Sequence, residues 1–107
     1  MSKKIQIQQG DVNINQISSI PDGAHPISKK TRGYVLAEGG STGHAHVIEE
    51  DTVEMYEKDG TLYLNVKESS VVKHEEHLPV VLDPGLYEIG IVVEIDPFSE
   101  QIKRVVD

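Results

Sequence analysis

Four of the five histidines in this chain stand in two tight pairs, His44-Ala45-His46 and His74-Glu75-Glu76-His77. The first pair lies in Gly43-His44-Ala45-His46-Val47-Ile48, whose β-branched residues predict a strand. Side chains alternate along a strand, so both imidazoles point to one face, where two neutral nitrogen donors can hold a transition metal. The second pair follows His46 by 28 residues and brings two carboxylates with it. Together the pairs offer the mixed nitrogen and oxygen ligands that zinc, iron, manganese or nickel sites use. The chain has no cysteine, which leaves histidine and carboxylate as its strong ligands.

The second pair poses a geometric question, because residues three apart on a regular strand face opposite ways. If the strand that begins at Val71 runs straight through Glu76, then Val72, His74 and Glu76 share a face, and the metal set is His44, His46, His74 and Glu76. If the chain turns at Glu75-Glu76, His77 comes round instead, to give a four-histidine set. The carboxylates then stand behind the rings, where they orient imidazoles or move protons. Glu75 and Glu76 are accordingly the candidate proton carriers of a catalytic site. Glu49 and Glu50, in the acidic turn after His46, are secondary carboxylate candidates. His25, isolated beside Pro26, reads as a surface histidine, and Ser41 and Thr42 as turn residues with no base to activate them.

These residues need a scaffold, and the chain supplies signals for one. Short alternating or β-branched runs recur between Gly, Pro, Asp and Asn punctuation, with little helical periodicity. This pattern predicts a single all-β domain of about eight strands, a small barrel or sandwich. Ile5 and Ile7 open the first strand, and Gly10-Asp11 turns the chain into Val12-Asn13-Ile14-Asn15-Gln16-Ile17. The stretch from Ala24 to Arg32, with a proline and a basic cluster, reads as a loop. Tyr34-Val35-Leu36-Ala37 is the next strand, and Glu38 to Gly43 a glycine-rich approach to the first histidine pair. Val53 to Glu57 and Thr61 to Val66 flank Lys58-Asp59-Gly60 and form the clearest hairpin. Further strands are expected at Ser70–His74, Pro79–Leu82 and Leu86–Ile95. In the tail, Phe98, Ile102 and Val105 stand at helical spacing, which fits a helical turn or two, with an added edge strand as the alternative. Tyr34, Tyr56, Tyr63 and Tyr87 are expected to fill and rim the core.

At 107 residues the chain is long enough to bury a core without cross-links. Its formal net charge of -8 repels phosphate backbones, so nucleic acid is not an expected partner. Lys29-Lys30-Thr31-Arg32 and Lys103-Arg104 lack interleaved aromatics and read as solvated charges. No apolar run approaches a membrane span or a signal peptide, so no membrane is expected and the cytoplasm is the expected location. A small-molecule substrate and a homo-oligomer are both compatible with the composition.

The run His44-Ala45-His46 with Glu50, a glycine-rich approach and a later Pro84-Gly85 turn resembles the first metal motif of the cupin superfamily. In that superfamily an HxH pair and a following glutamate bind a metal inside a small β-barrel. Here the second histidine pair precedes Pro84-Gly85, and no histidine follows that turn. A wider resemblance is to a group of small uncharacterised bacterial and phage proteins. It rests on Gln9-Gly10-Asp11-Val12, Thr42-Gly43-His44-Ala45-His46, His74-Glu75-Glu76-His77, Asp96-Pro97-Phe98 and Arg104-Val105, and implies a shared fold and site. The leading expectation is a β-barrel that binds one divalent transition metal, with catalysis on a small molecule as its extension. The competing one is a non-catalytic phage accessory or assembly module whose histidines hold a fold or an interface.

Overall fold

The computed structural model describes residues 6–39, 43–91, 93–96 and 101–104. Ile5, Ser41, Thr42, Phe98 and Val105, each given a part above, lie outside the described residues. The fold is all-β. Its strands are β1 (Gln6–Gln9), β2 (Val12–Ile17), β3 (His25–Ile27), β4 (Tyr34–Glu38), β5 (Ala45–Ile48), β6 (Val53–Lys58) and β7 (Thr61–Val66), followed by β8 (Ser70–Val72), β9 (Val80–Leu82), β10 (Gly85–Ile91), β11 (Val93–Asp96) and β12 (Gln101–Arg104).

Six strands make one antiparallel sheet in the order β1-β2-β10-β7-β6-β3. Along β2 and β6 the alternation of the sequence becomes alternation of burial: Val12, Ile14, Val53 and Met55 face inward, with half-buried residues between them. The β6–β7 hairpin closes on Asp59 and Gly60, at φ 52° and 82°. Positive φ at both central residues is what a two-residue turn needs to match strand twist, and Asp-Gly adopts it at little cost.

The β4–β5 and β8–β9 hairpins form a second, smaller layer, joined by an antiparallel bridge in which Val47 and Lys73 exchange backbone hydrogen bonds of 2.9 and 2.8 Å. Leu36, Ile48, Val72 and Leu82 from this layer cluster with Val12, Ile14, Leu64, Val66, Tyr87 and Ile89 of the large sheet, so the core lies between the two. Tyr63 and Tyr87 are buried, and Tyr34 and Tyr56 half-buried. Tyr87, fully buried, satisfies its hydroxyl by donating to the Asp83 carbonyl at 2.7 Å.

Two elements differ from the sequence expectation, and a third takes the alternative that the sequence left open. His25–Ile27 is a strand, not part of a loop: it pairs with β6 as the last strand of the large sheet, where the missing N–H of Pro26 is tolerated. The run expected as one strand from Leu86 to Ile95 is divided between β10 in the large sheet and β11, which pairs with β12. Gln101–Arg104 takes the edge-strand alternative for the tail and not the helical turn, in antiparallel register with Val93–Asp96. No helix of the described residues is long and apolar enough to cross a membrane.

Candidate functional site

The two histidine pairs meet where β5 is bridged to the end of β8. Residues 46 and 48 share a parity on β5, and His46 and Ile48 are both buried, whereas Ala45 and Val47 of the opposite parity line a cleft. His44, just before the strand, has the parity of His46, and both reach the same ring. His74 lies with its centroid 5.6 Å from that of His44 and 4.3 Å from that of His46.

The second pair takes the turned form. Regular strand ends at Val72, Lys73 makes the bridge to Val47, and the backbone then bends through 75–77. The Glu76 N–H donates back to His74 Nδ1 at 3.0 Å, a local hydrogen bond that holds the bend. His77 consequently comes to 4.5 Å from His74 and stacks at 6.0 Å against His46, with the ring planes 10° apart. All four imidazoles thus form one cluster with His74 at its centre. Glu76 stays exposed, one carboxylate oxygen 3.3 Å from His44 Nδ1.

Glu75 plays a different part. One of its oxygens accepts from the Ala45 N–H at 3.0 Å and the other from Arg32 Nη2 at 2.6 Å, while Arg32 Nη1 donates to the Gly43 carbonyl at 2.8 Å. The carboxylate therefore clamps both ends of His44 in place. The Ala45 N–H above all, then its own backbone N–H and the Arg32 charge, hold the Glu75 carboxyl below its ordinary value. Such a group stays ionised at neutral pH and is a weak proton carrier. Because its folded value is depressed, the stability it adds is present above the ordinary carboxylate range and disappears as pH falls through the folded value. Glu75→Gln is expected to flatten the dependence of Tm on pH below ~4.3, and an acid limb equal to that of the wild type would rule the clamp out.

One ligand atom from each of His44, His74 and Glu75 lies within 4.8 Å of the others, so this group could hold a metal ion. Beside the group opens a cleft of about 430 Å³ lined by Thr31, Arg32, Glu49, Lys73, His74 and Glu75 among others. Glu49, a secondary ligand candidate, is taken by Lys73 at 3.0 Å on this rim, and Glu50 accepts from the Val71 N–H at 2.8 Å. His25 lies on β3, exposed.

The sequence reading missed three residues. Arg32, read as a solvated turn charge, is the clamp's cation. Gln9, named only within the Gln9-Gly10-Asp11-Val12 run, and Asp11, read as a turn residue, line the inner side of the cluster: His46 Nδ1 lies 2.8 Å from Gln9 Oε1 and His46 Nε2 3.3 Å from Asp11 Oδ1. A signal for Gln9 was available, since it continues the Ile5, Ile7 alternation and so stands at an inward position where an apolar residue is expected. Between them, Gly10 at φ 57° lets the turn approach His77; a Cβ there would fall within 2.8 Å of the ring's Cδ2 and 3.1 Å of its Cε1. Gly10→Ala is expected to lower stability by roughly 1–3 kcal/mol through left-handed strain and overpacking and to push the His77 ring aside. Denaturant titration and the His77 ring resonances read both effects, and unchanged resonances would refute the close approach.

No curated protein and no solved structure shows a significant match to the chain. A family model described as a domain of unknown function, DUF8820, matches residues 8–91, a span that contains Gln9, Asp11, Arg32, all four clustered histidines and both following glutamates. The chain belongs to this family.

Proposed function

We propose that this chain binds one divalent transition metal at the histidine cluster and presents it to a small molecule in the adjoining cleft. The observation that carries this reading is the convergence of His44, His74 and Glu75 to within 4.8 Å, with His46 and His77 packed on the same central ring. The donor chemistry fits: neutral imidazoles with carboxylates suit zinc, iron(II), manganese or nickel. His74 Nδ1 already accepts the Glu76 N–H, so a neutral His74 ring carries its proton on Nε2. Binding through this residue therefore exchanges an ion for that hydrogen bond or that proton.

The cleft supports an open site over a purely structural one, because structural sites are usually closed by protein ligands on every side. A bound ion would supply Lewis acidity to an oxygen of the ligand or of water there. The protein's own groups divide the remaining work. Glu75 and Arg32 hold the His44 segment, Lys73 and Arg32 place positive charge on the cleft wall, and exposed Glu76 beside His44 is the carboxylate available to exchange protons with solvent. Hydrolysis or isomerisation of a small molecule suits this set as well as oxygenation does.

The test is metal analysis of protein prepared without a histidine tag, followed by calorimetric titration with zinc(II), iron(II) and manganese(II). Uptake of one ion per chain is expected. A flat titration with all three would remove the basis of the proposal.

A further inference from the structure

We propose that the cleft beside the histidine cluster takes a small oxyanion, a carboxylate or phosphate group held between the bound ion and the side chains of Arg32 and Lys73. The inference rests on the reading of the cluster as a metal site and deepens it by naming the class of ligand.

The cleft has an apolar floor with an ion pair at each end. Ala45 and Val47, which share a parity on β5, supply the floor. Lys73 and Glu75 stand beside them, Lys73 through its backbone bridge to Val47 and Glu75 through the Ala45 N–H. Each then meets a side chain of opposite charge, Lys73 with Glu49 at 3.0 Å and Glu75 with Arg32 at 2.6 Å. The Arg32 pair marks the end nearer the ion, because Glu75 and His74 belong both to the cleft wall and to the candidate metal group.

The backbone delivers Arg32 to this place. Lys30 and Gly33 exchange two hydrogen bonds of 2.9 Å, so Thr31 and Arg32 form the tip of a tight turn. That turn lies close on β5 because residue 33 is glycine: a Cβ there would fall 2.8 Å from Val47 Cγ1 and 3.1 Å from Glu49 Cα, and its φ of 124° is one that other residues rarely adopt. A cation held in a short, seated turn has less freedom to lose when it binds a ligand.

Charge balance then selects the ligand. Among the charged residues of the lining, Arg32 and Lys73 are offset one for one by Glu75 and Glu49. A divalent ion at His44, His74 and Glu75 adds positive charge that only an anionic ligand offsets; a neutral ligand leaves it unmatched and a cationic one adds to it. Arg32 can join in without releasing its clamp, since a guanidinium carries more N–H donors than the single bonds that Gly43 and Glu75 each take. Its planar fork matches the oxygens of carboxylate and phosphate alike. The chain's net charge of -8 repels anions at long range, so a preference for them is a property of this cleft and not of the surface as a whole.

Calorimetric titration of the zinc-loaded and zinc-free wild-type chain with benzoate, phenyl phosphate and benzamide tests the proposal, benzamide being the neutral counterpart of benzoate. Both anions are expected to bind the zinc-loaded chain at least ~10-fold more tightly than benzamide does, the worth of one hydrogen bond to a charged group. They should also bind it ~5–150-fold more tightly than they bind the zinc-free chain, since ion and anion favour each other by the same factor. The tighter anion identifies which oxyanion the cleft is shaped for. In the zinc-loaded chain, Arg32→Gln should lower the preference for benzoate over benzamide by ~10-fold, and Lys73→Met should lower it to a smaller extent. Lys29→Gln removes the same charge from a side chain that is paired with Asp51 outside the cleft, and should leave the preference unchanged. Benzamide reports any change in cleft shape or zinc occupancy, so the ratio isolates the charge. Lys73→Met keeps the backbone bridge to Val47 and reads the same effect even if Arg32→Gln, which loses the Glu75 clamp, fails to fold. Equal affinity for benzoate and benzamide in the zinc-loaded wild type, or an undiminished preference in either cleft variant, overturns the inference while leaving the metal site standing. A wild-type chain that takes up no zinc overturns both.

Discussion

A chain carrying His44→Ala and His46→Ala is expected to take up no divalent metal. The two rings flank His74 from the same face of β5, and their removal leaves His74, whose Nδ1 is engaged by the Glu76 N–H, and His77 as the remaining nitrogen donors of the cluster. Part of the loss will appear as stability and must be separated from affinity. Without His46 the buried Gln9 oxygen loses the partner that it has at 2.8 Å, a deficit of roughly 1–3 kcal/mol. His44 is half-buried and paired with exposed Glu76, so its removal costs little structure. Circular dichroism should show a folded β protein, and zinc titration of that folded protein should be flat. Binding in the double variant at wild-type affinity would place the metal elsewhere and end the proposal.

Ile48→Ala is expected to cost ~2–5 kcal/mol, a large share of the ~5–15 kcal/mol that holds a domain folded. Ile48 is fully buried in the core cluster, two residues after His46 on β5, and it is not a metal donor. The variant therefore separates packing from ligation. If the native state alone binds metal, zinc at ~100 times its dissociation constant should return ~2.7 kcal/mol to wild type and variant alike. Urea titrations with and without zinc measure both quantities. Equal midpoints with and without the ion would mean that the folded cluster does not bind it.

The local features of the chain were open to reading because they depend on near neighbours. Asp59-Gly60 forms its turn from the φ preferences of those two residues, and β2, β6 and β7 follow from alternation over a few positions. The common face of His44 and His46 is likewise a two-residue parity. The HEEH segment shows the limit of such reasoning. Straight and turned forms were both consistent with the sequence, and the turned form depends on β8 ending at the Val47–Lys73 bridge, a contact with a strand 26 residues earlier. Pro26 illustrates the converse error: a proline argues against a strand only where its N–H is needed, and the outer place of β3 in the sheet is a property of the whole topology.

The sequence alone therefore determined the all-β class, the main hairpin and the two histidine pairs as the chemical centre of interest, because turn preference, alternation and residue type act within a few residues. Only the tertiary structure decided what surrounds those histidines. Gln9 reaches Val72 across 63 residues, Asp11 meets His46 across 35, and Arg32 meets Glu75 across 43. None of these pairings has a local signal, since each arises from the order in which β1, β2, β5 and β8 are brought side by side. Strand order is set by how the whole chain buries its apolar faces at once, which makes the partners of a buried polar group a property of the completed fold.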